Sequence, residues 1–315
     1  MDIVFLVVAG LAGLIFGGDF LVRGAESIAL RIGLSPMVIG LTLVGFGTST
    51  PELVTSLQAA FVGSPGIAIG NVVGSNIANM LLILGFAAVF APIAISKAAF
   101  MRDGTVLALS TLMCLGAVLF GYLSPVIGAL FIAVLIAYLV FTIRQESRSA
   151  KKAPDLDVTA PLPSSSNLLK NLAFVFGGLA LTIFGARFLV MGAIDVARAF
   201  NISEAIIGLT IVAVGTSLPE LVTTVVAIRR GQADIAFGNV VGSNIFNILF
   251  ILGATALVHP IAIPDAIASF DIWVMTGVTA FIILAAITRW RISRTEGALL
   301  LIAYIAYTLW LGARI

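Results

Sequence analysis

Long apolar runs recur along the whole chain, and each is about as long as a helix that crosses a membrane. Such a helix needs about 20 mostly apolar residues to span the hydrocarbon core of a bilayer. The chain has 315 residues, of which 60% are hydrophobic and only 10% are charged, whereas a soluble domain carries about 25% charged residues. These features predict an all-α membrane protein and exclude a soluble globular domain.

Hydropathy and helix-breaking residues divide the chain into ten predicted spans. They cover residues 3–22, 36–61, 66–93, 102–121, 124–143, 168–190, 203–228, 234–257, 270–288 and 295–313. Between the fifth and sixth spans lies the one extended polar stretch, basic at its start and rich in proline and serine at its end, which is typical of a linker. The predicted organisation is a first five-helix repeat at 1–143, a cytoplasmic linker at 144–167 and a second five-helix repeat at 168–315.

The two halves of the chain repeat each other at an offset of 168 residues (213 minus 45). The segment GFGTSTPELVTS at 45–56 aligns with AVGTSLPELVTT at 213–224, and 8 of the 12 positions are identical. The segment GNVVGSNIANMLLILG at 70–85 aligns with GNVVGSNIFNILFILG at 238–253, and 13 of the 16 positions are identical. This identity indicates an internal duplication.

The number of spans in each half predicts how the two repeats are oriented. Five is odd, so the second repeat enters the membrane from the opposite side. Cytoplasmic loops carry an excess of lysine and arginine, and with both termini outside, 14 of the 17 basic residues fall on the inner side; only Arg187, Arg198 and Arg314 fall outside. The sequence thus predicts two inverted repeats, N-out and C-out, a plan of secondary transporters whose binding site lies near the midplane.

Two glutamates, Glu52 and Glu220, hold equivalent positions in the two repeats. Of the fifteen acidic residues, these are the only two that the sequence places deep in apolar spans. Burial of a carboxylate in hydrocarbon is costly, and no lysine or arginine lies at the same depth to compensate. Bound cations or protons are therefore expected there, although a single glutamate could merely cap a helix N-terminus.

The segments around both glutamates offer further oxygen atoms. Their hydroxyls belong to Thr48, Ser49, Thr216 and Ser217. Pro51 and Pro219 lack an N–H, so the carbonyls of Gly47 and Gly215 lose their helical donor. Oxygen ligands of this kind suit hard cations such as Ca²⁺ or Na⁺, and the absence of a histidine–cysteine cluster from the sequence disfavours a soft metal.

The second repeated motif, GSNIxN, adds polar side chains in the middle of the third and eighth spans. These are Ser75, Asn76, Asn79, Ser243, Asn244 and Asn247. Residues four apart lie on one helix face, which places the serine and the second asparagine of each motif together. Any one of these serines, threonines or glycines could equally be a packing residue.

With GTSTPE at 47–52, GTSLPE at 215–220 and two GSNIxN motifs, the chain resembles the calcium/cation antiporter superfamily, specifically its sodium/calcium exchanger branch. The resemblance covers both halves and implies a ten-helix fold with four ion sites in a central cluster. It also implies that the first and sixth helices slide across the other eight to alternate access.

The resemblance implies a role for each motif residue. Glu52 and Glu220 become the shared Ca²⁺ carboxylates. The other implied ligands are the hydroxyls of Thr48, Ser49, Thr216, Ser217, Ser75 and Ser243, the carbonyls of Gly45 and Ala213, and the amides of Asn79 and Asn247. Some relatives, including potassium-dependent ones, carry aspartate where this chain has Asn247, which weakens the case for potassium co-transport.

The function expected from this resemblance is exchange of Na⁺ for Ca²⁺ across the cytoplasmic membrane by alternating access. The proton/calcium branch typically has Gly-Asn before its acidic residue, which favours sodium here; H⁺/Ca²⁺ exchange is the alternative, since a buried glutamate can carry protons. A channel would need a continuous pore, and an intramembrane enzyme would need a histidine that the spans lack.

The expectations for partners follow from the same resemblance. We expect no catalytic residues, no cofactor and no nucleic-acid partner. The expected partners are Ca²⁺ and Na⁺ as transported ions and the lipid bilayer, with one chain functional as a monomer. The expected location is the inner (plasma) membrane, as a multi-pass protein.

Overall fold

The computed structural model describes residues 3–32, 34–61, 65–152, 168–199 and 213–313. Within these ranges the chain is helical, apart from short connections and four two-residue strands. The first half contains α1 (Ile3–Ile32), α2 (Pro36–Thr48), α3 (Thr50–Phe61), α4 (Pro65–Phe90), β1 (Ile93–Ala94), α5 (Lys97–Leu119), β2 (Tyr122–Leu123) and α6 (Pro125–Lys152).

The second half repeats this order of elements. It contains α7 (Leu168–Ala199), α8 (Ala213–Thr216), α9 (Leu218–Arg229), α10 (Ala233–Val258), β3 (Ile261–Ala262), α11 (Ile267–Arg289), β4 (Arg291–Ile292) and α12 (Arg294–Gly312). Helix α6 continues through residues 144–152, which the sequence analysis assigned to the linker. Residues 153–167 of that linker lie outside the described ranges.

Eight of the described helices are long and apolar enough to cross a membrane, and a ninth span results if α2 and α3, bent by 44°, count as one. The predicted span at 203–228 begins outside the described residues, and α8 and α9 lie in its later part. Large apolar side chains remain exposed on the outer helices, for example Phe5 and Leu309. An apolar exterior matches a lipid environment, where only helices and closed barrels satisfy the backbone.

Helices α4 and α10, which carry the GSNIxN motifs, form the centre of the molecule. Their most apolar windows are 78% and 83% buried, compared with 11–44% for the other spans. In α10 every residue from Ile235 to Phe246 is buried. Both helices pass through a π-helical segment, Asn79–Ile83 and Asn247–Leu252, a local widening that is frequent at functional sites.

Helices α1 and α7 pack antiparallel and very closely, because glycines line their contact. A methyl group added to Gly17 would lie 2.6 Å from the backbone nitrogen of Thr182, and one added to Gly185 would lie 2.7 Å from the nitrogen of Leu14. Gly17 and Gly185 are equivalent positions of the two repeats. Small residues allow this close approach between membrane helices, and here the contact is symmetric.

The four short strands connect the two halves at both ends of helix α5. Strand β1, just before α5, pairs with β4 of the second half, and β2, just after α5, pairs with β3. A helix of 23 residues is about 35 Å long, so the two pairs lie far apart. Strands β1 and β3 are equivalent in sequence, yet they lie at opposite ends of this helix.

Candidate cation-binding site

Both GTSxPE motifs interrupt a helix at their serine. Helix α2 ends at Thr48 and α3 begins at Thr50, while α8 ends at Thr216 and α9 begins at Leu218. The proline occupies the second position of the new helix, where its missing N–H would have no helical partner in any case. Each glutamate therefore sits in the first turn of a helix, where the macrodipole favours negative charge.

The two breaks face each other, and each serine contacts the glutamate of the other repeat. The Ser49 hydroxyl donates to Glu220 Oε1 at 3.0 Å, and the Ser217 hydroxyl donates to Glu52 Oε1 at 3.3 Å. Both glutamates are 1% exposed, and they are close enough to repel each other electrostatically. The structure thus brings these four predicted residues together in one buried site.

The neighbouring threonines lie beside the same carboxylates. Thr216 interacts with Glu52, and Thr48 interacts with Glu220. Thr48 is fully buried and its hydroxyl also lies 3.2 Å from Asn239 Oδ1. Each carboxylate is therefore surrounded by hydroxyl groups from the opposite repeat.

Several buried oxygen atoms of this region have no hydrogen-bond partner among the described residues. They are Glu52 Oε2, Glu220 Oε2, Asn79 Oδ1, Asn244 Oδ1 and Asn247 Oδ1. Buried polar atoms are normally paired, and leaving one unpaired costs about 1–3 kcal/mol. This region therefore concentrates acceptors that the protein itself does not satisfy.

The two second asparagines of the GSNIxN motifs, Asn79 and Asn247, are buried at the first position of the π-helical segments. The Asn247 amide donates to Asn76 Oδ1 at 3.1 Å, and the Asn76 amide donates to the carbonyl of Asn244 at 3.4 Å. These contacts connect α4 with α10 directly across the centre of the molecule.

The carbonyl of Gly45 lies between the two motifs. It accepts from the hydroxyls of Thr48 and Ser243, at 3.3 and 3.2 Å. Ser75 is equivalent to Ser243 and is 6% exposed. Ala213 is equivalent to Gly45 and begins α8. The ligand roles of all these residues stay predictions.

Pro51 removes the helical donor of the Gly47 carbonyl, as the sequence predicts, but the hydroxyl of Thr50 donates to that carbonyl at 2.7 Å. A carbonyl oxygen has two lone pairs, so its role as an ion ligand stays a prediction. In the second repeat the equivalent of Thr50 is Leu218, which has no hydroxyl, so the carbonyl of Gly215 cannot be satisfied in the same way.

Sequence reasoning missed a pair of asparagines that support the glutamates. The amide of Asn71 donates to the carbonyl of Glu52 at 3.2 Å and to the Ser56 hydroxyl at 3.0 Å. Its counterpart Asn239 donates to the carbonyl of Glu220 at 3.2 Å and to Thr224 at 2.9 Å. The sequence could have indicated these asparagines, because they are polar residues at equivalent positions of the two repeats.

A third carboxylate, that of Asp103, is fully buried, so the two glutamates are not the only deeply buried acids. Its oxygens bind Arg102 at 2.6 and 2.9 Å and accept from Tyr138 at 2.8 Å. Arg102 also binds Glu146 at 2.8 Å. Asp103 therefore has partners within the protein, in contrast to Glu52 and Glu220.

A multi-pass helical protein whose two repeats enclose a buried, acidic and oxygen-rich site belongs to the class of membrane cation transporters. Comparison with known proteins identifies the family. A family model described as sodium/calcium exchanger protein matches residues 3–144 and 170–313. The chain belongs to this family and is accordingly a membrane antiporter.

Similar proteins match nearly the whole chain. It is 39% identical to the putative antiporter CaxA of Alkalimonas amylolytica, over 96% of each chain, and 38% identical to the inner membrane protein YrbG of Escherichia coli, over 98% of this chain and 97% of the relative. It is 34% identical to the sodium/calcium exchanger MaX1 of Methanosarcina acetivorans, over 96% of each.

A solved structure confirms that the fold is shared. The sodium–calcium exchanger NCX_Mj, soaked with zero Na⁺ and Ca²⁺, superposes with a TM-score of 0.84 at 32% sequence identity, over 98% of both chains. The expected family, and the expected location as a multi-pass protein of the inner (plasma) membrane, are confirmed.

Proposed function

We propose that this antiporter exchanges Na⁺ for Ca²⁺ at one site shared by Glu52 and Glu220. The observation that carries the proposal is the mirrored pair of contacts in which each serine donates to the glutamate of the other repeat. Two carboxylates neutralise one Ca²⁺, and the surrounding hydroxyl, amide and carbonyl oxygens are ligands that hard cations prefer.

The full ligand set follows from position around these carboxylates. We assign it to the hydroxyls of Thr48, Ser49, Thr216, Ser217, Ser75 and Ser243, the carbonyls of Gly45 and Ala213, and the amides of Asn79 and Asn247. The unpaired oxygens of Glu52, Glu220, Asn79 and Asn247 support this assignment. In the structure the Gly45 carbonyl accepts from two hydroxyls, so an ion bound there would have to replace those donors.

Exchange follows from the electrostatics of such a site. Two unneutralised carboxylates resist transfer through an apolar barrier because their desolvation is costly. Occupancy by Ca²⁺ or by several Na⁺ removes this cost, so only a loaded site changes the side to which it is open. An empty site does not change the side to which it is open, and this couples the two ion fluxes and prevents leak.

The proposed topology is ten spans in two inverted repeats, with both termini outside. The first repeat covers 1–143 and the second 168–315, with the cytoplasmic linker 144–167 between them. The position of β1 and β3 at opposite ends of α5 supports the inversion, because equivalent elements of parallel repeats would lie at the same end. One chain contains both halves of the site, so we propose that a monomer is functional and needs no cofactor.

Proton coupling is the second candidate, because a buried carboxylate can be neutralised by a proton as well as by a cation. The test is Ca²⁺ uptake into proteoliposomes loaded with Na⁺, K⁺ or choline at equal pH, with and without a proton gradient. Uptake that requires internal Na⁺ supports sodium exchange. Uptake that ignores Na⁺ and follows the proton gradient would contradict it and support H⁺/Ca²⁺ exchange.

A further inference from the structure

We propose that Arg187 acts as an electrostatic filter on the access path to the cation site and discriminates against Ca²⁺ relative to Na⁺. This inference rests on the proposed function. Its evidence is a cavity beside the site, the closed counterpart of that cavity in the other repeat, and the charge at its edge.

The cavity lies between α3, α7 and α8 and has a volume of about 470 Å³. Its polar lining comes from Thr50, Thr55, Gln58, Arg187 and Thr216. Thr216 interacts with the buried carboxylate of Glu52, so the cavity extends to the edge of the cation site. Hydroxyl and amide groups along its wall can replace water around a cation.

The equivalent region of the other repeat is closed. There Gly18 of α1 packs against Val222 and Val226 of α9, whose side-chain carbons would lie 3.0 and 3.2 Å from a methyl group added to Gly18. Val226 is the counterpart of Gln58, which lines the open cavity. The structure therefore has a cavity beside the site on the α3–α7 side and close packing on the α1–α9 side.

The charge on these two sides is opposite at one pair of equivalent positions. Asp19 of α1 forms ion pairs with Arg23 and Arg230, whereas its counterpart on α7 is Arg187. Arg187 is exposed, and no carboxylate of the described residues lies within 4.0 Å of its guanidinium. Arginine stays protonated at any physiological pH, so a permanent positive charge borders the path of a cation.

The effect of such a charge depends on the valence of the ion. A sphere of this volume is about 10 Å wide, and at that distance in water a unit charge lowers the local concentration of Na⁺ about twofold and that of Ca²⁺ about fourfold. The filter therefore shifts competition for the site towards Na⁺, and it acts only on the side where the cavity opens.

The experiment measures the Ca²⁺ KM and the half-saturating Na⁺ concentration from each side of proteoliposomes. At low ionic strength, in Arg187→Gln, we expect a Ca²⁺ KM about fourfold lower and a Na⁺ value about twofold lower on one side only. Arg187→Lys keeps the charge and should match the wild type. Arg187→Ala provides a second neutral variant if the first does not insert. At high ionic strength the difference should shrink, because the Debye length is about 8 Å at 0.15 M salt.

Several results would overturn the filter. They are a lysine variant that behaves like the neutral variants, equal changes for both ions, or equal changes on both sides. Failure of the proposed function looks different, because the wild type would then show no Na⁺-dependent Ca²⁺ uptake at all. Exchange that persists with unchanged KM values in both neutral variants overturns the filter alone.

Discussion

Helices α1 and α7 occupy equivalent positions in the two repeats, but the structure packs them differently against the rest of the molecule. Helix α1 lies against α9, where Gly18 contacts valines and Asp19 pairs with Arg230. Helix α7 leaves a cavity beside α3, and the counterpart of Asp19 there is Arg187. At the centre of the molecule, by contrast, the serine–glutamate and asparagine–glutamate contacts recur in both halves.

This difference shows that the two repeats share equivalent contacts at the centre of the molecule but pack differently at its periphery. The mirrored contacts of Ser49 and Ser217 with the opposite glutamates join the two repeats at the candidate site. The unequal packing of α1 and α7 leaves a cavity beside α3 and close packing beside α9. In transporters with inverted repeats, alternating access is largely a rocking or gating of one repeat against the other. Under the proposed function we therefore expect the peripheral contacts to break and the central ones to persist.

The largest expected effect concerns the symmetric centre. Glu52→Gln and Glu220→Gln should each lower Ca²⁺ exchange at least about 100-fold, because removal of one buried charge leaves Ca²⁺ incompletely neutralised at a cost of about 3–5 kcal/mol. The matched control is Glu296→Gln, since Glu296 also sits in the first turn of a membrane helix but caps Ser293. Exchange in proteoliposomes is the measurement, and retention of exchange in one glutamate variant only would show that the halves are not equivalent.

Alanine substitution of Gly17 or of Gly185, on the two sides of the contact between α1 and α7, should lower the stability of the protein equally. In Gly17→Ala the methyl would lie 2.6 Å from the nitrogen of Thr182, and in Gly185→Ala it would lie 2.7 Å from that of Leu14. Overpacking costs about 1–3 kcal/mol, so both variants should melt at a lower temperature in detergent. Gly177→Ala is the control, because the described residues leave the space around its methyl open within 4 Å. A normal melting temperature for Gly17→Ala would disprove the tight contact.

The smallest effect concerns the asymmetric periphery. Asp19→Asn removes the ion pair with Arg230 and should loosen the closed α1–α9 side, while Arg23→Gln breaks only a pair within α1. Partly exposed ion pairs contribute at most about 1 kcal/mol, so thiol labelling of Val222→Cys should accelerate about two- to fivefold in the first variant. Equal labelling rates in both variants would show that this ion pair does not hold the side closed.

Local sequence patterns are sufficient to predict the motifs and the central helices, because the duplication shows the glutamates and the GSNIxN asparagines as pairs. Contacts between distant segments were not predictable in this way. The ion pair between Asp19 and Arg230 joins residues 211 positions apart, and no sequence periodicity predicts it. For Asp103 the sequence shows the neighbouring Arg102, but the contact with Tyr138, 35 residues away, depends on how α5 packs against α6.

The loss of a helical donor at each proline is predictable from the sequence, whereas the break of each helix at its serine is not. The sequence does not reveal that the Thr50 hydroxyl takes over the carbonyl of Gly47, since this depends on the geometry of the turn at Ser49. The supporting asparagines, Asn71 and Asn239, lie within the repeated segments 70–85 and 238–253 but outside the GSNIxN motifs. Their contacts to the glutamate carbonyls arise only when α3 and α9 pack against α4 and α10.

The central claim is that two glutamates from different repeats hold one Ca²⁺ between them. Equilibrium binding of Ca²⁺ to the purified chain in Na⁺-free detergent solution tests it most directly, with the wild type, Glu52→Gln and Glu220→Gln compared. The account predicts one Ca²⁺ per chain in the wild type and loss of that ion in either variant. Two Ca²⁺ per chain, with one retained in each variant, would contradict a shared site and indicate two independent ones.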